Sequence, residues 1–240
     1  MNDFKRLEGK KIALIGGAGF IGHNLALHLQ SLGAKVDIID GMQVNNLLSL
    51  VDNVDNLPYP DLSRAIINER TQLLKSAQIN LRVQDARDYH ALTRLLNEIK
   101  PNIIIQLAAV SHANRSNKDP YSTFDHSFRT LENSLDWSRG GTSNVEQFIF
   151  FSSSMVYGNF ESDQVDEDTN CEPLGIYGAL KYGSEKIIIG YNQTFGLPYT
   201  IIRPSALYGE RCISRRVGQI FIENSLMGKE IVMSDKGKES

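Results

Sequence analysis

KIALIGGAGFIG, at residues 11–22, is the stretch from which the fold can be read. A short apolar strand runs into glycines, and the pattern then changes. Ile21, Leu25, Leu29 and Leu32 fall at helical spacing, and Gly33 stops the helix. A glycine string alone says little, but a strand before it and a helix after it make a phosphate cradle. Gly16 permits the tight turn, Gly19 removes a side chain where backbone approaches a pyrophosphate, and Gly22 lets helix and strand close up. The helix N-terminus then offers unpaired N–H groups and partial positive charge to the phosphates.

Working outward, AKVDIID (34–40), NLRVQD (80–85), NIIIQLAA (102–109), EQFIFFSSS (146–154) and LPYTIIRP (197–204) read as further strands, and YHALTRLLNEIK between the third and fourth reads as a helix. Alternating strands and helices predict an α/β protein with a parallel sheet covered on both faces. The near-continuous apolar strands agree with that burial. Residues 41–79 are long for a link between two strands. NNLLSLVDNV and SRAIINERTQLLKSA look helical around a break at NLPYPD, which predicts a helical insertion over the sheet edge. Asp40 closes the second strand about 20 residues beyond the glycines, where a carboxylate accepts hydrogen bonds from the adenosine ribose and repels a 2′-phosphate. The cofactor expected is NAD, not NADP. Asp85 either lies near the adenine or caps the following helix.

The 240 residues suffice for one large domain or one and a half. A net charge of −3 gives no field for a polyanion, so no nucleic-acid partner is expected. No apolar run approaches the ~20 residues of a membrane helix. MNDFKRLEGKK has no leader character, so a cytoplasmic protein is expected. Cys171 and Cys212 have no metal-ligand spacing and read as two free thiols, with no metal site.

FSSSMVYG (151–158) and YGALK (177–181) carry the chemistry. Tyr177 and Lys181 share one helix face, a turn apart. A phenol of pKa about 10 is a poor base at neutral pH. A neighbouring ammonium and an oxidised nicotinamide favour the phenolate, which can then take a proton from a substrate hydroxyl as hydride leaves the same carbon.

GGAGFIG, Asp40, QLAA (106–109), SSSMVYG, YGALK and RPSALYG (203–209) occur in the order seen in extended short-chain dehydrogenase/reductases, and the chain resembles their NAD-dependent epimerase/dehydratase branch over most of its length. The resemblance implies a Rossmann-type doubly wound sheet at residues 1–204. It implies that 205–240 is the beginning of a smaller, truncated substrate domain, with 228–240 reading as one strand and a polar loop. It implies a nucleotide-sugar substrate and a homodimer through a four-helix bundle built from about 121–137 and 177–195. The cofactor set is Gly16, Gly19, Phe20, Ile21, Gly22, Asp40, Asp85, Ala86, Leu107, Ala108 and Ala109, with Tyr177 and Lys181. Alignment on VYG makes Ser153 the catalytic hydroxyl beside Tyr177 and Lys181, with Ser152 satisfying local backbone and Ser154 the fallback. Ser111, Ser154, Arg211 and Arg216 are expected at the substrate, the arginines because guanidinium matches phosphate; a solvated basic helix face is the equal alternative. The family's Asn is replaced at Ser127 and Ala206.

Met155 separates the reactions. In the family's 4,6-dehydratases, the residues after the catalytic hydroxyl include the acid used for elimination. Here those places hold Ser154 and Met155, and Met155 cannot transfer a proton. The expected activity is therefore a nucleotide-sugar epimerase acting at C4 through a 4-keto intermediate. The alternatives are a 4,6-dehydratase, a 4-ketoreductase, or a non-catalytic NAD sensor on the same fold.

Overall fold

The computed structural model describes residues 7–44, 46–52, 59–110, 113–141, 143–160, 164–213 and 217–231. Among them, six strands form one parallel sheet in the order β3-β2-β1-β4-β5-β6. The strands are β1 (Lys11–Ile15), β2 (Lys35–Asp40), β3 (Asn80–Val83), β4 (Ile103–Gln106), β5 (Gln147–Phe151) and β6 (Tyr199–Ile202). The order reverses between β1 and β4, and a ligand crevice opens outside the carboxyl ends of the strands at such a switch point.

Parallel neighbours need crossovers, and the helices provide them. The first are α1 (Phe20–Ser31), α2 (Leu47–Asp52), α3 (Pro60–Ser76) and α4 (Tyr89–Ile99). They continue as α5 (Ala113–Lys118), α6 (Pro120–Phe124), α7 (Thr130–Ser138), α8 (Gly175–Phe195) and α9 (Val217–Leu226). Period-2 alternation sends Ile12 and Leu14 of β1 to one face, with Ala26 of α1 and Leu74 of α3. It sends Ala13 and Ile15 to the other, with Leu92 and Leu96 of α4, Leu131 and Leu135 of α7 and Ile188 of α8.

Helices α2 and α3 fall within 41–79, but α3 is not an insertion. Its buried Leu74 joins the α1-side core, so α3 is itself the crossover from β2 to β3. Only the stretch holding α2 is additional. Asp85 lies two residues beyond β3, and the cap of α4 is Asp88, whose carboxylate accepts from Ala91 N at 2.9 Å. The helix expected across 121–137 is interrupted by a π turn at Asp125–Arg129. Residues 228–231 form no strand, and the rest of the 228–240 reading lies outside the described residues.

Candidate active site

The cleft at the strand ends collects the predicted cofactor residues. Gly16, Gly19, Phe20, Ile21 and Gly22 line it from the turn and α1, Asp40 from β2, Asp85 and Ala86 from beyond β3, and Leu107, Ala108 and Ala109 from beyond β4. Ser153, Tyr177 and Lys181 line its other end. Gly16 has φ +80°, and a Cβ there would lie 2.5 Å from Ala108 N, so the turn can be this tight only with glycine. Gly22 is in contact with the backbone of Gly17. The side chain that Gly19 lacks would meet nothing nearer than Gly16 O at 3.8 Å, which leaves a cradle open to a phosphate.

Asp40 is tied into the same turn. Its Oδ2 accepts from Ala18 N at 2.9 Å and its Oδ1 from Met42 N at 2.7 Å. Burial raises its pKa, and those two N–H groups and the Arg70 charge oppose the rise. Asp85 is held by Arg87, which also reaches Asp125 at 2.8 Å; although burial works to raise the Asp85 pKa, this grip takes it down to about 2.

At that end, the Lys181 ammonium donates to Phe151 O at 2.7 Å and lies 4.8 Å from the centre of the Phe150 ring. Burial lowers its pKa to about 8, against the opposing charge of Glu185. Ser153 Oγ accepts from Met155 N at 3.2 Å, which leaves its O–H as a donor. Ser152 does not serve local backbone by its side chain: its hydroxyl donates to Glu185 Oε1 at 2.5 Å, because a buried carboxylate on α8 faces the end of β5.

The substrate-side expectations fare differently. Ser111 and Arg216 lie outside the described residues. Ser154 starts a one-turn 3-10 helix, Ser154–Val156, and is not among the residues lining the cleft. Arg211 does not line it either. Its guanidinium donates to His23 Nε2 at 2.9 Å, Asn24 Oδ1 at 2.8 Å and Glu210 Oε2 at 2.8 Å, so it clamps the segment after β6 to α1. Ser127 is not among the residues lining the cleft; His126 lines it from the π turn, with its Nε2 3.0 Å from Gln43 Oε1, an acceptor. Arg70 lines it too, 2% exposed, and donates from Nε to Arg211 O at 3.0 Å. The sequence carried a signal for Arg70: it continues the Ile67–Leu74 row at helical spacing, a charged residue on an apolar face.

His23 gives a measurable consequence. It is fully buried, and its Nδ1 lies 2.8 Å from Gly19 O in the cradle. Arginine can only donate, so Nε2 must be the bare acceptor and Nδ1 carries the proton. Burial, with the nearby Arg70 and Arg211 charges, lowers the His23 pKa to about 4, against the bond to Gly19 O. The unfolded chain therefore binds the extra proton first. Stability is full above about pH 6.5 and is lost as pH falls toward 4. Between pH 7 and pH 5 this group is expected to remove about 2 kcal/mol. Urea unfolding at both pH values checks it: His23→Gln should lose that much less than the unaltered chain, and equal losses would refute the assignment.

The fold, the glycine cradle and the acidic residue closing β2 together define a dinucleotide-binding protein of the Rossmann class. A family model described as the NAD dependent epimerase/dehydratase family matches residues 12–240, and the chain belongs to that family. The dTDP-glucose 4,6-dehydratase of Salmonella typhimurium (strain LT2) is 26% identical over 246 residues, covering 95% of this chain and 63% of that protein. UDP-glucuronate 4-epimerase 6 of Arabidopsis thaliana is 28% identical over 228 residues, covering 95% and 46%. The UDP-glucuronic acid 4-epimerase of Bacillus cereus, solved with UDP-glucuronic acid and NAD, matches in fold with a TM-score of 0.75 at 24% identity, over 92% of this chain and 64% of that one. The chain thus spans between 46% and 64% of the length of these relatives. NAD is the cofactor of the family, and the open cradle at Gly19 with the carboxylate of Asp40 fits it. No described helix is long and apolar enough to cross a membrane. No described group of His, Cys, Asp or Glu could hold a metal ion.

Proposed function

We propose that this chain carries the catalytic centre of an NAD-dependent nucleotide-sugar 4-epimerase. The observation that carries the reading is the convergence of Ser153, Tyr177 and Lys181 on the reactive end of the dinucleotide cleft, beside a Met155 that has no proton to give. Bound NAD supplies hydride acceptance and return. Tyr177, as phenolate, takes the proton of the C4 hydroxyl and later restores it. Lys181, held on Phe151 O, keeps a positive charge beside that phenol. Ser153 donates its hydroxyl proton to the same sugar oxygen and fixes its direction. The ketone formed at C4 turns over within the site before its second face is reduced.

Elimination of water would need an acid and a base next to Ser153. Ser154 and Met155 provide neither, and Met155 is 40% exposed. The substrate-side assignments of Ser111 and Arg216 carry over from the sequence, as does residue 205 as the start of the sugar-nucleotide part. Association of two copies through α8 and the 121–137 stretch belongs to the same reading, supported by the exposed Tyr121, Phe124 and Phe195.

The test is incubation of the chain with NAD and a panel of nucleotide sugars, followed by proton NMR. A C4 epimer is the expected product. A 4-keto-6-deoxy product would overturn the argument from Met155, and stoichiometric use of reduced cofactor would assign a ketoreductase. No conversion by NAD-loaded protein would remove the epimerase reading for this chain.

A further inference from the structure

Helix α8 carries a third polar residue in the row of Tyr177 and Lys181. Glu185 follows Lys181 by four positions and Tyr177 by eight, so the three stack on one face. Glu185 is 2% exposed. A carboxylate at that depth costs several kcal/mol unless it is paired and hydrogen-bonded. It has both. Arg203, just past β6, donates from Nε to Oε1 at 3.0 Å and from Nη2 to Oε2 at 2.8 Å. Ser152, just past β5, donates its hydroxyl to Oε1. Arg203 is anchored in turn by donating to Tyr157 O–H oxygen at 3.0 Å, with its guanidinium 5.0 Å from the centre of that ring. Glu185 therefore joins α8, the end of β5 and the end of β6 beneath the reactive end of the cleft.

We infer that Glu185 is a positioning residue of the catalytic centre: its carboxylate keeps the Lys181 ammonium charged and, through Ser152, sets the backbone that presents Ser153. The part played by Lys181 and Ser153 in turnover rests on the epimerase reading; the hold of Glu185 on Lys181 does not. Phe150 and Phe151 bring only a ring and a carbonyl to the ammonium. The other titratable or charged groups nearby are Tyr177 and Lys186 on α8, Arg203 spent on Glu185, Cys171 before α8, and His126 on the π turn. Glu185 is set apart from these by its place one turn beyond Lys181 on the same face of α8, and its negative charge acts against the desolvation of Lys181. Without it a buried lysine loses its proton nearer neutrality, and a neutral amine does not favour a phenolate.

The experiment is a pH titration of the full chain with NAD bound, its lysines labelled with 13C at Cε and Lys181 assigned by Lys181→Arg. Glu185→Gln keeps the shape and removes the charge, and it is expected to lower the Lys181 pKa by at least one unit. Should that variant not fold, Glu185→Gln with Arg203→Met removes both charges of the buried pair together; losing the Arg203 cation offsets part of the effect, so a smaller fall in the same direction is expected. A Lys181 titration unmoved in the folded variant overturns the inference and leaves Glu185 as a structural partner of Arg203. With a responsive nucleotide sugar, the pH at which kcat rises should move up by at least one unit in Glu185→Gln, with KM little changed. A shifted titration without any sugar turnover would keep this inference and reject the epimerase reading; turnover with an unmoved titration would do the reverse.

Discussion

Tyr177→Phe is expected to lower kcat on the responsive nucleotide sugar by about 10²–10⁴-fold, the usual contribution of a positioned acid–base group. The change deletes one oxygen from a half-buried ring at the start of α8 and leaves the cradle untouched, so NAD binding and the unfolding midpoint should stay near those of the unaltered chain. The size of the effect follows from what remains. Ser153 can still donate to the sugar oxygen and Lys181 still holds its place on Phe151 O. In the proposed mechanism, however, the C4 hydroxyl proton then has no acceptor when the hydride leaves. Measuring kcat and KM together separates this from a binding defect, because a group used only in the transition state lowers kcat and kcat/KM alike. Retention of more than a tenth of the activity would remove Tyr177 from the mechanism. An NAD sensor would keep its cofactor response in this variant, and so the same protein distinguishes the two.

Two single-methyl substitutions in the cradle should fail in opposite ways. In Gly22→Ala the new Cβ would lie 2.4 Å from Gly17 O, 2.5 Å from its Cα and 2.6 Å from its carbonyl carbon. All three are backbone atoms that cannot rotate aside, so α1 must shift away from the turn. Overpacking of this kind costs about 3 kcal/mol, and the displaced helix N-terminus should weaken NAD by at least tenfold, about 1.4 kcal/mol. Gly19→Ala differs. Gly19 already has φ −74°, which alanine adopts readily, and its Cβ enters open space. The free protein should be as stable as before, while NAD, which needs that space, should bind far more weakly. Urea unfolding with and without NAD, together with calorimetric titration of NAD, reads both effects. Equal NAD affinity in Gly19→Ala and the unaltered chain would show that the phosphates lie elsewhere.

His23, Arg70 and Arg211 tie the cradle to the segment after β6. Arg211 has φ +62°, a left-handed conformation uncommon for a side chain of its size. The backbone is kept there while its carbonyl accepts from Arg70 and its guanidinium reaches α1. An arginine that the sequence offers for substrate phosphate is thus spent on holding two parts of the chain together.

Periodicity and local spacing were sufficient for much of this protein. The strand–turn–helix at residues 11–31, the six strands, the placing of Asp40 and the row of Tyr177 and Lys181 all depend on neighbours within one or two turns, which pattern records directly. The parallel arrangement followed because strands alternated with helices. Long-range partners decided the rest. Helix α3 is a crossover and not an edge insertion because Leu74 finds the α1-side core. The π turn at Asp125–Arg129 brings His126, and not Ser127, to the cleft. Ser152, Glu185 and Arg203 meet across up to 51 positions of sequence, as do Arg70 and Arg211 across 141. The physical reason is the same in each case. A buried charge must find its partner wherever the sheet and helices bring one, and the choice of partner is made by packing, which no local spacing encodes.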